Sequence, residues 1–372
     1  MARLKTTHGM PLDVILDILV WLPAKSALRF KSVCREWCNL IDSPYFAKLH
    51  LNKSHQPDSG HNQALIGTLL SIPTLRIVDD LYRPSKWTKL SWPNNIDKAY
   101  IQVVGSCNGL VCFRFTDIYG FGIRCFLICN PTTRTFKSIL PSSDKKWMER
   151  SLSCGFGYDS EHDDYKIVVT SNVWTEYDDR DVRIYRVKAD LWSYPIPLTR
   201  VSSGKIWENR DLVIFNDKML YYLVSSGRDY KIARFDVVSE KWRDELCIPI
   251  QLKKYSPKLG AFDGCLYLRT GDCKTEIWIL EEDDGSWKKL FRLPISFNWK
   301  HFITRSKDRR NRLLFQYYFC ENDLLEWCDQ RVNGPIPLDV GPLPRHTSIT
   351  PYTASLVKIP GCSLTKVQEI KE

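Results

Sequence analysis

The stretch that decides the fold runs from Met10 to Phe46 and reads MPLDVILDILVWLPAKSALRFKSVCREWCNLIDSPYF. Between Leu12 and Leu22 every residue is apolar except Asp13 and Asp17, which are four positions apart and therefore share one helical face. A helix with so narrow a polar stripe is normally buried on nearly all sides. Pro23 ends this helix after about three turns. A unit of roughly 40 residues is too small to bury that much apolar surface alone, so the stretch predicts a partner.

The second half of the stretch has the spacing of an amphipathic helix. Val33, Cys34, Trp37, Leu40 and Ile41 follow an i, i+1, i+4, i+7, i+8 pattern. The following Ser-Pro pair ends the helix, because the residue before proline disfavours the helical conformation. From these residues alone, a helical hairpin that packs on its own domain and a docking element for another protein are both open.

The same stretch closely resembles the F-box, the motif that docks a protein onto the SKP adaptor of a cullin–RING ubiquitin ligase. The matching positions are Pro11, Asp13, Ile18-Leu19, Leu22-Pro23, Lys25-Ser26, Leu28-Arg29-Phe30, Val33-Cys34, Trp37 and Leu40-Ile41. The chain departs from the family at Met10, where leucine is usual, and at Ala27, where a larger aliphatic residue is common. The resemblance implies that the following residues divide between the local core and the adaptor interface: Pro11, Leu12, Ile15, Leu19, Leu22, Pro23, Leu28, Val33, Cys34 and Trp37.

Composition places the chain among globular proteins. Its 372 residues, 44% hydrophobic and 12% aromatic, predict two or three domains with sizeable cores. The formal charge of +10 is spread thinly along the chain, whereas nucleic-acid binders concentrate it on one face. The 13 cysteines include no CxxC pair, which favours reduced thiols in an intracellular protein, in the cytoplasm or the nucleus. Neither a signal peptide nor a membrane-spanning run is indicated.

Beyond the helices the periodicity changes to that of strands. Residues 50–63 are polar and contain Pro57 and Gly60, which predicts a linker or an exposed loop. Short runs of β-forming residues then alternate with turn residues as far as residue 359. We therefore expect an α+β multidomain chain: an F-box helical domain at 1–48, a linker at 49–63, a mostly β domain at 64–360 and a C-terminal tail at 361–372.

A weak internal repeat predicts the architecture of the β domain. Each copy has an apolar strand, an acidic or Asn residue, a few polar residues, an aromatic residue and then a proline. The aromatic residues are Trp87, Phe136, Trp192, Trp242 and Trp287, spaced about 45 to 56 residues apart. Such a period, with four short strands per copy, is typical of β-propeller blades, and the aromatic ring is expected to fill the gap between blades. We expect a kelch-like propeller of about six blades, with a β-sandwich as the alternative.

The β domain also resembles the F-box-associated, kelch-like domain that is common in plant F-box proteins. The matching segments are Gly105–Leu110 (GSCNGL), Asn130–Arg134 (NPTTR), Gly155–Asp159 (GFGYD), Asp164–Val168 (DYKIV) and Ile277-Trp278. The double glycine of strict kelch repeats is missing.

The sequence carries no recognisable catalytic motif, and it predicts neither a cofactor nor a metal site. The basic cluster Arg305, Lys307, Arg309, Arg310 and Arg312 is interpreted as a polar hairpin loop, with a patch for an acidic or phosphorylated target as the alternative.

We therefore predict a non-catalytic substrate receptor that binds the SKP adaptor, and through it the cullin and RING subunits, and captures an unidentified protein. The alternative is an enzyme or a nucleic-acid-binding module that the helices tether. Residues in polar stretches are candidates for target contact, since loops carry much of the function in such folds: Trp174, Arg180, Arg210, Arg228 and Lys300.

Overall fold

The computed structural model describes most of the helical stretch and of the β domain. The described residues are 10–56, 62–69, 75–78, 87–90, 100–117, 122–141, 152–171, 181–197, 212–215, 219–226, 229–252, 257–262, 265–270, 276–281, 285–292, 299–305, 312–319, 322–328, 335–338, 340, 343–344 and 347–362.

The N-terminal unit consists of four helices. They are α1 (Leu12–Val20), α2 (Ala24–Phe30), α3 (Arg35–Asp42) and α4 (Pro44–Ser54). Pro23 separates α1 from α2, as the sequence predicts. The Ser43 hydroxyl accepts a hydrogen bond from the Phe46 amide at 3.1 Å, so it caps α4, and Pro44 occupies the first turn, where its missing N–H costs nothing.

Six antiparallel sheets form the β domain, each with four principal strands. Blade 1 contains β1 (Gln63–Leu69), β2 (Leu75–Val78) and β3 (Thr88–Leu90), and blade 2 contains β4 (Tyr100–Cys107), β5 (Leu110–Thr116), β6 (Ile123–Asn130) and β7 (Thr135–Ile139). Blade 3 contains β8 (Leu152–Asp159), β9 (Asp164–Ser171), β10 (Asp181–Arg186), β11 (Leu191–Trp192) and β12 (Ile196–Pro197). Blade 4 contains β13 (Leu212–Phe215), β14 (Met219–Ser226), β15 (Asp229–Asp236) and β16 (Lys241–Cys247).

The last two blades complete the ring, which is therefore a six-bladed propeller, as expected. Blade 5 contains β17 (Lys258–Phe262), β18 (Cys265–Arg269), β19 (Glu276–Leu280) and β20 (Trp287–Arg292). Blade 6 contains β21 (Trp299–Arg305), β22 (Leu313–Phe319), β23 (Asn322–Cys328), β24 (Pro335–Pro337) and β25 (Leu343–Pro344). In blades 3 and 6 the outermost strand is split in two, so β12 and β25 lie beside β10 and β23 respectively.

The ring is closed by the C-terminal strand β26 (Thr347–Thr353), which is the innermost strand of blade 1. It pairs with β1 over seven residue pairs, from Gln63↔Thr353 to Leu69↔Thr347. The innermost strands β26, β4, β8, β13, β17 and β21 each lie against the next around the ring. Blade 1 therefore combines strands from the two ends of the β domain, and closure removes the open sheet edges that would otherwise invite aggregation.

The antiparallel order of strands gives the propeller two distinct faces. In every blade the first strand, counted from the centre, ends at the same face of the propeller, and the second strand begins there. In blade 1 these two strands are β26 and β1. Because the helices join the propeller through β1, we call this the helix-side face. Connections from a second to a third strand, and from one blade to the next, lie at the opposite face.

The repeated tryptophans lie between blades, as the repeat predicts. The Trp192 ring of blade 3 lies 6.0 Å from the Phe126 ring of blade 2, and its Nε1 donates to the Leu140 carbonyl at 3.1 Å. Trp287 of blade 5 repeats the arrangement, because its Nε1 donates to the Cys247 carbonyl at the outer edge of blade 4, also at 3.1 Å. A large flat ring thus seals each of these two junctions and is oriented by one hydrogen bond.

Buried lysines add polar contacts between blades. The Lys166 ammonium of blade 3 lies 2.8 Å from the Asp159 carboxylate of its own blade and donates to the Val237 carbonyl of blade 4, also at 2.8 Å. Burial would raise the pKa of Asp159, but hydrogen bonds from Lys166 and His162 outweigh it and lower that pKa to about 2. The β15–β16 turn of blade 4, which contains Val237, is therefore fixed to β9 of blade 3.

Residues 354–362 continue beyond β26 as a segment that we call the C-terminal strap. The Asn130 amide of the NPTTR segment donates to the Ser355 and Val357 carbonyls at 3.1 and 2.8 Å. At the Asn108-Gly109 turn of the GSCNGL segment, the Asn108 carbonyl accepts a hydrogen bond from the Ser355 hydroxyl at 2.8 Å. Two segments of blade 2 that carry the family resemblance therefore hold the strap in place.

We expect Gly109→Ala to destabilise the propeller strongly. Gly109 has a φ of +81°, and a Cβ there would overlap the Ser355 hydroxyl and the Thr353 carbonyl. Backbone strain and overpacking together predict a loss of about 3 kcal/mol or more. Gly285→Ala is the matched control, since Gly285 has a φ of +69° but no heavy atom within 4 Å of an added Cβ. Strain alone predicts a loss of about 1 kcal/mol for that control. Equal midpoints of chemical unfolding for the two variants would contradict this role of the strap.

The helices and the propeller share one hydrophobic core, so part of the apolar surface of the helical stretch packs on its own chain, which is one of the two possibilities left open by the sequence. Leu19, Ala27 and Phe46 of the helices belong to the same buried cluster as Ile66 of blade 1 and Phe113 of blade 2. The predicted linker over 49–63 needs correction, because α4 extends to Ser54 and buries His50, Leu51 and Ser54. The sequence does not indicate this burial, because His50 and Ser54 are polar and are buried through hydrogen bonds rather than through apolar contacts. Of the expected tail at 361–372, residues 363–372 lie outside the described residues.

Candidate functional site

The helices keep a large exposed apolar surface even after packing on the propeller. In α1, Ile15 and Leu19 are 4% and 1% exposed and face the core, whereas Val14, Ile18 and Trp21 remain 43%, 51% and 58% exposed. The spacing i, i+4, i+7 places these three side chains in one stripe. Together with the other exposed large side chains of the unit they form what we call the helical apolar surface: Met10, Val14, Ile18, Trp21, Phe30, Val33 and Tyr45.

The ten residues predicted to divide between the core and the adaptor interface differ in their exposure in the structure. Ile15 and Leu19 are buried in the shared core and leave almost no area for a partner. Pro11 and Val33 are exposed. The others are half-buried: Leu12, Leu22, Pro23, Leu28, Cys34 and Trp37.

Sequence reasoning missed Val14, Ile18 and Trp21 as exposed residues. Because α1 is apolar almost all round, its sequence contains no periodicity that distinguishes the face against the propeller from the face in solvent. The one available signal was the pair Asp13 and Asp17, since both are exposed and lie beside Val14 and Ile18 on the helix.

Charged groups surround this surface. Arg29 and Arg35 are exposed, and the Lys31 ammonium lies 2.6 Å from the Asp42 carboxylate at the end of α3. Burial alone would raise the pKa of Asp42, but the hydrogen bond and charge of Lys31 outweigh it, so that pKa is lowered. Lys358 of the C-terminal strap approaches the same carboxylate at 3.9 Å. The basic residues of the helical unit are thus partly neutralised, at Lys31, and partly exposed, at Arg29 and Arg35.

The turn between α1 and α2 is held from inside by α4. The His50 ring is fully buried, and its Nε2 donates to the Leu22 carbonyl at 2.8 Å. Burial is the larger influence on His50 and lowers its pKa, although the bond to Leu22 acts in the opposite direction. The imidazole is therefore neutral at physiological pH.

We expect His50 to make the helical unit sensitive to acid. Because its pKa is lower in the folded chain than the ordinary 6.5, its contribution to stability is fully present above pH 6.5. That contribution is lost as the pH falls from 6.5 through the lowered folded pKa. His50→Gln removes the titrating group, so its unfolding midpoint should fall less between neutral and mildly acidic pH than that of the wild type. His55→Gln, at an exposed position, is the control; a wild-type pH profile for His50→Gln would contradict the assignment.

Most of the residues predicted for target contact are outside the described residues: Trp174, Arg180, Arg210 and Arg228. Lys300 lies near the start of β21, the innermost strand of blade 6. Of the basic cluster, Arg305 at the end of β21 and Arg312 just before β22 are described.

A second exposed apolar surface lies on the rim between blades 2 and 3. We call it the rim patch: Leu140, Leu191 and Tyr194, which are 77%, 61% and 92% exposed. They surround the point where the Trp192 indole meets the Leu140 carbonyl.

The propeller itself supplies a comparison for the rim patch. The residues one before and two after the inter-blade tryptophan are Leu191 and Tyr194 in blade 3. The corresponding exposed residues are Lys241 and Asp244 in blade 4, and Ser286 and Lys289 in blade 5. Since the fold accepts polar residues there, the apolar side chains of blade 3 are not an architectural requirement.

The described residues contain neither a candidate metal site nor a candidate membrane-spanning helix. They contain no cluster of three or more His, Cys, Asp or Glu side chains suited to a metal ion. Among them, too, no helix is long and apolar enough to cross a membrane.

Comparison with known families agrees with these two parts of the chain. The F-box domain model matches residues 8–49, and the F-box associated beta propeller domain model matches residues 76–359. The chain belongs to the F-box-associated beta propeller family. An F-box domain thus precedes the propeller, as in plant F-box proteins.

Similar proteins come from Arabidopsis thaliana. An F-box/kelch-repeat protein is 29% identical, and the match covers 77% of this chain and 80% of the relative. F-box protein CPR1 is 25% identical, over 94% of this chain and 88% of its own length. Among solved structures, a chain of a nidogen/laminin complex matches with a TM-score of 0.45 and 12% identity, over 78% of this chain and 99% of that one. That likeness is too distant to bear on function.

Proposed function

We propose that this F-box protein is the substrate-recognition subunit of a SKP–cullin–F-box ubiquitin ligase. The observation that carries the proposal is the helical apolar surface, with seven large apolar side chains exposed on a unit that already has a core. So many exposed large apolar side chains on a small unit are typical of a protein-binding site. In the F-box family the partner of this unit is the SKP adaptor, through which the cullin and RING subunits assemble.

The arrangement of the two surfaces supports a receptor that acts through proximity. The helical apolar surface lies on the F-box helices, whereas the rim patch lies on the propeller, between blades 2 and 3. A protein that bridges adaptor and target raises the effective concentration of target lysines near the conjugating enzyme, without doing covalent chemistry itself. On this proposal the chain is not an enzyme, and it works in the cytoplasm or the nucleus.

For target capture we propose the candidates predicted from the sequence together with the rim patch. These candidates are Trp174, Arg180, Arg210, Arg228 and Lys300. The rim patch adds exposed apolar area, including Tyr194, and tyrosine is enriched at the centres of protein interfaces.

The proposal is tested by affinity capture from plant cells, with and without a proteasome inhibitor. We expect proteins that co-purify with the chain only when the proteasome is inhibited. The variant Leu191→Ser with Tyr194→Lys copies the residues that blade 5 carries at the same positions, so it should fold normally and retain the adaptor. It should capture less of the inhibitor-dependent proteins than the wild type does.

The control variant is Lys241→Ser with Asp244→Lys, which makes the corresponding exchange in blade 4 at exposed polar positions. It should capture these proteins as the wild type does. Full capture by the blade 3 variant would exclude the rim patch, and capture that does not depend on proteasome inhibition would contradict the receptor role.

A further inference from the structure

The turn that ends α1 and begins α2 cannot be capped by its own residues. Pro23 occupies the N-cap position of α2 and has no side chain that accepts a hydrogen bond from the helix. The first amide of the helix, that of Ala24, donates instead to the Asn62 Oδ1 at 3.0 Å. Asn62 lies 38 positions further along the chain, immediately before β1. The cap of α2 is therefore supplied by the propeller.

Asn62 uses its remaining polar groups to connect two other parts of the molecule. Its Nδ2 donates to the Ser54 hydroxyl at 2.7 Å, and that hydroxyl donates to the His50 carbonyl at 2.8 Å. The Asn62 carbonyl accepts from the Ala354 amide, just beyond the ring-closing strand, at 2.7 Å. Because the His50 ring bonds the Leu22 carbonyl, both peptide groups that flank Pro23 belong to one polar network.

This network is buried, so breaking one of its hydrogen bonds leaves a polar group without a partner and costs free energy. Asn62 is 6% exposed, Ser54 is 3% exposed and His50 is fully buried. The apolar contacts around it, such as that of Phe46 with blade 1, resist separation of the two units but permit sliding and rotation. A buried amide allows one arrangement only, because any other leaves a donor or acceptor without a partner.

We propose that Asn62 is a positioning residue that fixes the orientation of the F-box helices on the propeller. Its bond to the Ala24 amide sets the direction of α2, and its bond to the Ala354 amide connects that helix to the closed ring. Resting on the proposed function, this means that Asn62 holds the adaptor side and the target side at a fixed angle without contacting either partner.

The test measures orientation in the free, full-length chain. One label is placed at Arg29 on α2 and a second at Lys258 on blade 5, both exposed, through unnatural amino acids because the chain has 13 cysteines. Electron-spin distance measurements then give the distribution of separations, and hydrogen exchange reports the protection of the Ala24 amide. The distances are recorded well below the melting temperature, and the Ala24 exchange is compared with that of core amides of the propeller, so that a loss of global stability is distinguished from local opening.

For Asn62→Ala we expect a clearly broader distance distribution and Ala24 exchange at least about tenfold faster than in the wild type. Asn52→Ala, an exposed asparagine on α4, is the matched control and should leave both unchanged. Unchanged distance distribution and unchanged Ala24 protection in Asn62→Ala would overturn the proposal.

A milder variant covers the case in which Asn62→Ala does not fold. Ser54→Ala removes the hydroxyl that holds the Asn62 amide in its orientation, so it loosens the bond from Ala24 to that amide. We expect a distribution of intermediate width; a wild-type distribution would then overturn the proposal. Neither measurement involves the adaptor. Failure of the wild-type chain to bind the adaptor would therefore refute the proposed function, whereas the role of Asn62 would still be decided by these two measurements.

Discussion

Deleting residues 347–372 should unfold the propeller, although the deletion leaves the strands of blades 2 to 6 and three of the four strands of blade 1. It removes β26, so β1 loses its seven pairing partners and becomes an open edge. It also removes buried apolar side chains that pack against blades 1, 2 and 6: Ile349, Tyr352, Leu356 and Ile359. At roughly 1.5–3 kcal/mol each, their burial contributes about as much as the whole stability of a typical domain, roughly 5–15 kcal/mol.

The measurement is a thermal melt followed by near-ultraviolet circular dichroism, which reports the packing of aromatic rings. The truncated chain should show no cooperative transition. A chain that ends after Cys362 retains β26 and the strap and should melt as the full-length protein does. A cooperative melt of the shorter chain within a few degrees of the wild type would contradict the closure mechanism.

Replacing Ile18 and Val33 together with serine should weaken binding of the SKP adaptor by about 100-fold, which corresponds to roughly 3 kcal/mol. The two side chains are 51% and 57% exposed, so folding does not depend on them and the effect should appear in binding alone. Removing the apolar side chains at the centre of an interface takes away burial that the complex would otherwise gain.

The control is Leu140→Ser with Leu191→Ser, which removes aliphatic side chains that are more exposed still from the rim of the propeller. We expect its affinity for the adaptor, measured by isothermal titration calorimetry, to equal that of the wild type. An affinity of the Ile18, Val33 variant within about twofold of the wild type would show that the adaptor binds elsewhere.

The sequence predicts those parts of the fold that depend on local patterns. The apolar run from Leu12 to Leu22 and the break at Pro23 give α1 and its end, and the repeated Trp192, Trp242 and Trp287 give the period of the blades. In the structure Trp192 and Trp287 bridge neighbouring blades, as the repeat indicates. Each of these signals lies within a few residues of the feature that it predicts.

Features that depend on distant residues could not be predicted in this way. Nothing near Thr347–Thr353 marks it as the innermost strand of the first blade, since its pairing partner β1 lies almost the whole propeller earlier in the chain. Asn62 belongs to a polar stretch that resembles a linker, and its role depends on Ala24 and Ala354. The exposure of Ile18 is likewise decided by which side of α1 the propeller covers.

The central claim is that the chain joins an adaptor to a target, and adaptor binding tests it most directly. The purified full-length chain and purified SKP adaptor are mixed at micromolar concentration and analysed by size-exclusion chromatography with light scattering. We predict a complex of one chain with one adaptor, and its loss in the Ile18→Ser, Val33→Ser variant. Separate elution of a correctly folded wild-type chain and the adaptor would contradict the account.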